Sequence, residues 1–151
     1  MEGFTGVHRS RRAEASVEAR LALRLLVEGY TRNAAGKAFQ AFKSLLAALA
    51  GERREELRGS VKNIDRVIAH MPTSIIREVG KLLGLERESL IALALHQYQY
   101  NGTDPEGVMS IYPSRDTATK DICNLLSNVA RVLGDESLKQ ELDNTFRSFQ
   151  M

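Results

Sequence analysis

Apolar residues return along this chain at intervals of three and four and almost nowhere at two, which is the period of helices rather than strands. From Ala13 to Tyr30, Val17, Leu21 and Leu25 share one face, with Ala22, Leu26 and Tyr30 beside it. Arg20, Arg24 and Glu28 recur at intervals of four on the other side, and Glu28 can pair with Arg32 one turn on. The segment from Gly29 to Asn33 breaks the pattern. A second helix is predicted over about Ala34 to Ala50, where Ala34, Ala38, Ala41, Phe42, Leu45, Leu46 and Leu49 form a broad apolar stripe. Its alanine-rich first half lets a neighbouring helix approach closely, and Gly51 suits its C-terminal cap. The short link makes the two an antiparallel hairpin.

A third helix is predicted from Arg53 to His70, with Leu57, Val61, Ile64 and Ile68 toward the core and Pro72 as its stop. Thr73 can cap a short helix from Ser74 to Leu83, closed by Gly84, and Glu86 opens a fifth that runs to Tyr100. Asn101 to Gly107 is the strongest turn signal in the chain. Asp104-Pro105 reads as an N-cap with proline in the first helical position, and Gly107 and Pro113 limit that start to one turn. Ser114 can cap a long helix whose face is Ala118, Ile122, Leu125, Leu126, Val129 and Leu133, ended by Gly134. Asp135 can cap a last helix carrying Leu138, Leu142, Phe146 and Phe149. The pattern predicts an all-α antiparallel bundle of six to seven helices. Residues 13–151 form one domain behind a flexible basic tail, residues 1–12. The single long link, Asn101 to Pro113, is either functional or a packed connector.

Composition narrows the classes. The chain has 151 residues, 43% of them apolar, which suffices for one core without staples. Its single cysteine, Cys123, allows no intramolecular disulfide and sits among Ile122, Leu125 and Leu126 as a small core residue. No signal-peptide pattern follows Met1, and no apolar run approaches the ~20 residues a membrane span needs. A cytoplasmic protein without a membrane partner is therefore expected. The net charge is only +2, with opposite charges interleaved. The exception is the run His8 to Arg12, which reads equally as a solvated tail or a phosphate clamp.

Chemistry-bearing patterns are few. Gly29 and Gly36-Lys37 superficially match a phosphate loop. However, six residues rather than four separate the glycines, Ala38 stands where a magnesium-binding Ser or Thr belongs, and no strand precedes. His8, His70 and His96 have no metal-ligand spacing with one another, a cysteine or paired carboxylates, so neither metal nor cofactor is expected. Arg66 and His70 share a helix face and could in principle act on a phosphate; beside Pro72, His70 reads better as a partner of the last helical carbonyls. His96, beside Gln97, Tyr98 and Tyr100, is either a partly buried histidine or an acid–base group at the mouth of a cleft. Tyr98, Tyr100 and Tyr112 bracket the long link, with Asp104, Arg115 and Asp116 nearby. Aromatics interleaved with arginine can stack a base, or they can anchor an irregular loop.

The run Leu25-Leu26-x-x-Gly29-Tyr30, then Ala34, Ala38 and Ala41, then Leu45-Leu46-Ala47-Ala48-Leu49 resembles the opening hairpin of HEPN domains. The later part is similar too: a His-bearing helix ends in Tyr98 to Gly102, and Arg115-Asp116 opens a long helix with Ala118, Ile122 and Val129. The resemblance covers about Ala13 to Leu133 and extends to uncharacterised archaeal paralogues of that fold. It implies a small antiparallel bundle, commonly a homodimer in prokaryotes, among whose relatives are toxins, ribonucleases and partners of nucleotidyltransferases. Active HEPN ribonucleases carry an Arg followed about four to six residues later by a His. Arg115 has no such His after it, and Arg66 and His70 are closer together and lie on another helix.

The leading expectation is a non-enzymatic HEPN-like homodimer that binds a nucleotide, RNA or a protein partner near the long link, through Tyr98, Tyr100, Asp104 and Arg115. One alternative is a metal-independent ribonuclease whose His96 and Arg115 meet in space. A third reading is a helical interaction scaffold that docks through residues 135–151.

Overall fold

The computed structural model describes residues 2–150, with side chains from Ser10 to Phe149. Among the described residues there are eight α-helices, one 3-10 turn and no strand. In chain order they are α1 (Glu2–Val27), α2 (Thr31–Glu52), α3 (Arg54–Arg58), α4 (Ile64–His70), the 3-10 turn Thr73–Ile75, α5 (Ile76–Leu82), α6 (Glu86–Asn101), α7 (Arg115–Leu133) and α8 (Glu136–Gln150). No described helix is long and apolar enough to cross a membrane.

α2 is the central helix. It packs against α1, α4, α5, α6 and α7 and buries Phe39, Phe42, Leu45 and Leu46. Its most extensive partner is α1, and the contact is made by small residues: Ala15, Ala19 and Ala22 of α1 are fully buried, as are Ala34, Ala38 and Ala41 of α2. The face expected for α1 is therefore corrected. Val17 is 63% exposed and Leu21 and Leu25 are half-buried; the buried face is Ala15, Ala19, Ala22, Leu23 and Leu26, whose alanines let α2 approach closely.

The single helix expected over Arg53 to His70 is two. Residues 59–63 separate α3 from α4, with Gly59 and Ser60 poor at propagating a helix and Asn63 at φ 55°, ψ 49° in the left-handed region that Asn tolerates. Val61 in that break still turns into the core. Gly51 does not end α2; it is buried in the last turn, and Arg53 closes the helix with its N–H on the Leu49 carbonyl. α1 begins at Glu2 and so runs through the segment expected as a tail; the side chains before Ser10, His8 among them, lie outside the described residues. Arg11 donates to the Ala69 carbonyl at 2.7 Å, and Arg12 makes a two-pronged contact with Glu52 at 2.5 and 2.9 Å.

At the other end, α8 lies on α7 and α1 with Leu138 and Leu142 buried against this chain's own core. Asp135 fixes it there. Its Oδ1 accepts from the Leu138 N–H at 3.0 Å and from Arg20 at 3.0 Å, and its Oδ2 accepts from the Ser16 hydroxyl at 2.7 Å. Burial raises the carboxyl's pKa, but these donors outweigh it and hold the group below the ordinary aspartate range. Asp135→Ala is expected to cost about 1–2 kcal/mol at neutral pH, chiefly as a lost N-cap. Because the folded-state pKa is depressed, this contribution is fully present above the unfolded value of about 3.9 and fades as pH falls through the folded one. The gap in urea midpoint between wild type and Asp135→Ala should narrow steadily as pH falls below about 4; a gap that stays constant as the pH is lowered further would show that the carboxylate's charge is not what holds α8.

Candidate functional site

The turn between α1 and α2 is only residues 28–30. Gly29 adopts φ +91°, and the Tyr30 and Gly29 N–H groups return to the carbonyls of Leu25 and Leu26 at 2.9 and 3.1 Å, the paired bonds of a glycine-closed helix end. The chain reverses so sharply that α2 starts without a capping side chain: Tyr30 holds the N-cap position and accepts nothing through its ring hydroxyl. The first backbone bond of α2 is Ala34 N–H to Tyr30 C=O at 2.8 Å. The N–H groups of Thr31, Arg32 and Asn33 have no partner among the described residues.

Beside this uncapped start lies the end of α6. Arg32 binds it, donating from Nε to the Gln99 carbonyl at 3.1 Å and from its terminal nitrogen to the Tyr100 carbonyl. α6 then stops at Gly102, whose φ 70°, ψ −156° is a conformation essentially confined to glycine. The N-terminus of α7 completes the enclosure: Ser114 caps it, accepting the Thr117 N–H at 3.3 Å, and Arg115 is its first residue.

Between the three lies a cavity of about 710 Å³, lined by residues 29–33, Tyr98, Gln99, residues 101–103 and Arg115. The lining carries two arginines and no carboxylate. Thr31 is 5% exposed and Tyr98 2%, yet neither hydroxyl has a hydrogen-bond partner among the described residues. Neither hydroxyl oxygen is fully enclosed, so both are open to a ligand in the cavity. Burial raises the Tyr98 pKa against the opposing pull of Arg115 and Arg32, so its hydroxyl stays protonated and can donate. Arg115 is exposed and has no carboxylate or hydrogen-bond partner among the described residues.

The profile of the archaeal PaREP1/PaREP8 family matches residues 10–123. The chain belongs to that family. No curated protein and no solved structure gives a significant match. The PaREP1/PaREP8 match takes in every residue of the cavity lining and stops within α7, before α8.

The residues singled out from the sequence are distributed unevenly in this PaREP1/PaREP8 chain. Tyr98 and Arg115 line the cavity. Tyr100 does not line it: its ring, 67% exposed, meets His96 edge-on on the other side of α6, and Arg32 holds its backbone carbonyl. Asp104 does not line it. Its carboxylate turns back on its own loop, taking the Met109 and Glu106 N–H groups, and these bonds hold its pKa below the ordinary range. With Asn101 on the Met109 carbonyl at 3.0 Å and Tyr112 on Asp121 at 2.7 Å, Asp104 gives the long link a fixed shape. Tyr112 also meets Tyr98 edge-on, ring centroids 5.5 Å apart.

His96 faces elsewhere. Its ring stacks on Phe39 at 4.2 Å and meets Tyr100 edge-on at 5.4 Å, and burial together with Lys43 lowers its pKa. Two residues along a helix is a turn of about 200°, so His96 and Tyr98 leave opposite sides of α6. Arg115 lies on the Tyr98 side, and the fold does not bring it to His96. Arg66 and His70 are both exposed on α4, away from the cavity. Cys123 is buried, with its thiol pushed up to about 12. Among the described residues no group of three or more His, Cys, Asp or Glu could hold a metal ion.

One wall of the cavity, Tyr30, Thr31, Arg32 and Asn33, is not among the residues that the sequence pattern singles out. The available signal was a helix start that combines a cation and three polar side chains after a tight glycine turn. Glu28 and Arg32 were expected to pair along one helix. They flank the turn instead, and Arg32 is committed to the α6 carbonyls.

Proposed function

We propose that this PaREP1/PaREP8 protein is a non-enzymatic binding module for a phosphate-bearing ligand, a nucleotide or RNA, held in the cavity between the α1–α2 turn, the end of α6 and the start of α7. The observation that carries the reading is the pair of unpartnered hydroxyls on the buried residues Thr31 and Tyr98, which open onto a cavity with two arginines and no carboxylate. The uncapped N-terminus of α2 adds free N–H donors and the positive end of its dipole. Arg115 supplies charge, Tyr98 and Thr31 supply hydrogen bonds, Tyr30 offers an aromatic face at the rim, and Asp104 sets the loop.

The lining carries no histidine, carboxylate or thiol, which favours binding over proton transfer. The resemblance to HEPN domains supports the same partner class, and we take the homodimer and the cytoplasmic setting as part of this reading.

Binding of a short oligoribonucleotide or a nucleotide should weaken between about 50 and 200 mM salt, with a shallow slope set by the few phosphates the cavity admits. Arg115→Ala should lower affinity about tenfold, equivalent to about 1.4 kcal/mol, with an unchanged circular dichroism melt. Salt-insensitive binding, or full affinity in that variant, would remove the cavity from consideration.

A further inference from the structure

We infer that the cavity takes the terminal phosphomonoester of a nucleotide, free or at an RNA end, rather than a phosphate inside a strand. The inference rests on the binding reading above and adds the chemical class of the ligand group.

Shape argues first. The hydroxyls of Thr31 and Tyr98 belong to side chains that are 5% and 2% exposed, so these donors gather on the buried side of an open-mouthed cavity. An internal phosphodiester carries a sugar on each side and needs an exit in both directions. A terminal phosphate needs one. The open side of the cavity carries Tyr30, 57% exposed, so the nucleoside behind the phosphate meets an aromatic face as it leaves.

Charge argues second. A phosphomonoester carries a charge of about −1.5 to −2 at neutral pH and three acceptor oxygens, whereas an internal diester carries a single charge. Arg115 and Arg32, the donors at the start of α2 and two hydroxyls, with no carboxylate among the lining residues, match the larger charge and the larger number of acceptors.

Charge also gives a signature. The monoester loses its second charge with a pKa near 6. The titratable groups facing the cavity are Tyr30 and Arg32 from the α1–α2 side, Tyr98 from α6 and Arg115 from α7, with no histidine, carboxylate or thiol among them. His96 lies on the opposite side of α6 among Phe39, Tyr100 and Lys43, and Asp104 faces its own loop with its pKa lowered. A change in affinity around the monoester's pKa therefore belongs to the ligand.

The test is calorimetric titration of the full chain with AMP, adenosine and one short oligoribonucleotide carrying a 5′-phosphate, a 3′-phosphate or neither. The phosphorylated ligands should bind at least tenfold more tightly than their unphosphorylated counterparts, and AMP should weaken severalfold from pH 7.5 to pH 5.0. Tyr98→Phe should narrow the preference. AMP binding without oligonucleotide binding would assign the site to a free nucleotide, and preference for one phosphorylated end would assign it to an RNA terminus; both support the inference. Equal, salt-sensitive binding of all three oligonucleotides would overturn it and leave the binding reading intact. No binding by any of these ligands would overturn both.

Discussion

Gly80→Ala is expected to destabilise the fold by about 3 kcal/mol, at the upper end of what an added methyl costs in a packed interior. Intrinsic helix propensity pulls the other way, favouring alanine by about 1 kcal/mol in an exposed helix. Sterics decide the sign. A Cβ at Gly80 would fall 1.8 Å from the Ser89 Oγ, 3.0 Å from the Ser89 Cβ and 3.1 Å from the Leu85 carbonyl oxygen. None of these can retreat cheaply: Ser89 is fully buried on α6 with its hydroxyl donating to the Leu85 carbonyl at 2.8 Å, and the Leu85 oxygen is backbone. The α5–α6 corner is thus built on the absence of a side chain at position 80. Adding Ser89→Gly removes both offending side-chain atoms and should recover more than half of the loss. The pair is measured by urea unfolding followed with circular dichroism, since the chain has no tryptophan. A stabilised Gly80→Ala would mean that the corner is looser than described.

That corner illustrates what the sequence could and could not express. Helix identity was legible because the apolar period is strong, and several ends were legible because capping chemistry is local: Ser114 accepts the Thr117 N–H, and Asp135 accepts the Leu138 N–H, as their positions predicted. The inward face of α1 was not legible. An amphipathic reading ranks side chains by hydrophobicity and chose Val17, whereas the α1–α2 contact selects for size and buries Ala15, Ala19 and Ala22. The break between α3 and α4 was hidden because Leu57, Val61, Ile64 and Ile68 keep helical spacing across it, and the turn delivers Val61 to the core anyway.

The candidate site divides the same way. The long link drew attention to Tyr98 and Arg115, which are close in sequence to its two ends and line one cavity. Thr31, Arg32 and Asn33 enter from 67 residues upstream of Gln99, through a helix pairing that local pattern does not encode. Asp104-Pro105 reads locally as the start of one helical turn, yet no helix forms there; the Asp104 carboxylate takes the Glu106 and Met109 N–H groups within the loop instead. The separation of His96 from Arg115 was implicit in the two-residue step between His96 and Tyr98, once Tyr98 is known to face α7.

Arg32→Ala should be the most damaging single change at the site, because Arg32 serves two levels of the structure at once. Its guanidinium holds the Gln99 and Tyr100 carbonyls, two of the last acceptors of α6, where a cation also complements the helix dipole. Losing these exposed charge-assisted bonds should cost about 1–2 kcal/mol of stability. The same side chain lines the cavity, and a Cβ at Gly102 would lie 3.5 Å from its guanidinium carbon, so it also backs the glycine at which the long link departs. Removing it takes a cation from the cavity and frees the end of α6 that carries Tyr98. Affinity for AMP should fall about a hundredfold, equivalent to about 2.7 kcal/mol and more than Arg115→Ala costs, because the second effect compounds the first. Arg32→Lys separates the two effects. Lysine keeps the charge but cannot present the planar fork that reaches two carbonyls, so stability should drop by less than about 1 kcal/mol and affinity by an intermediate factor. If Arg32→Ala melts lower but binds AMP normally, Arg32 is a helix-end clamp alone, and the charge at the site must come from Arg115 and the start of α2.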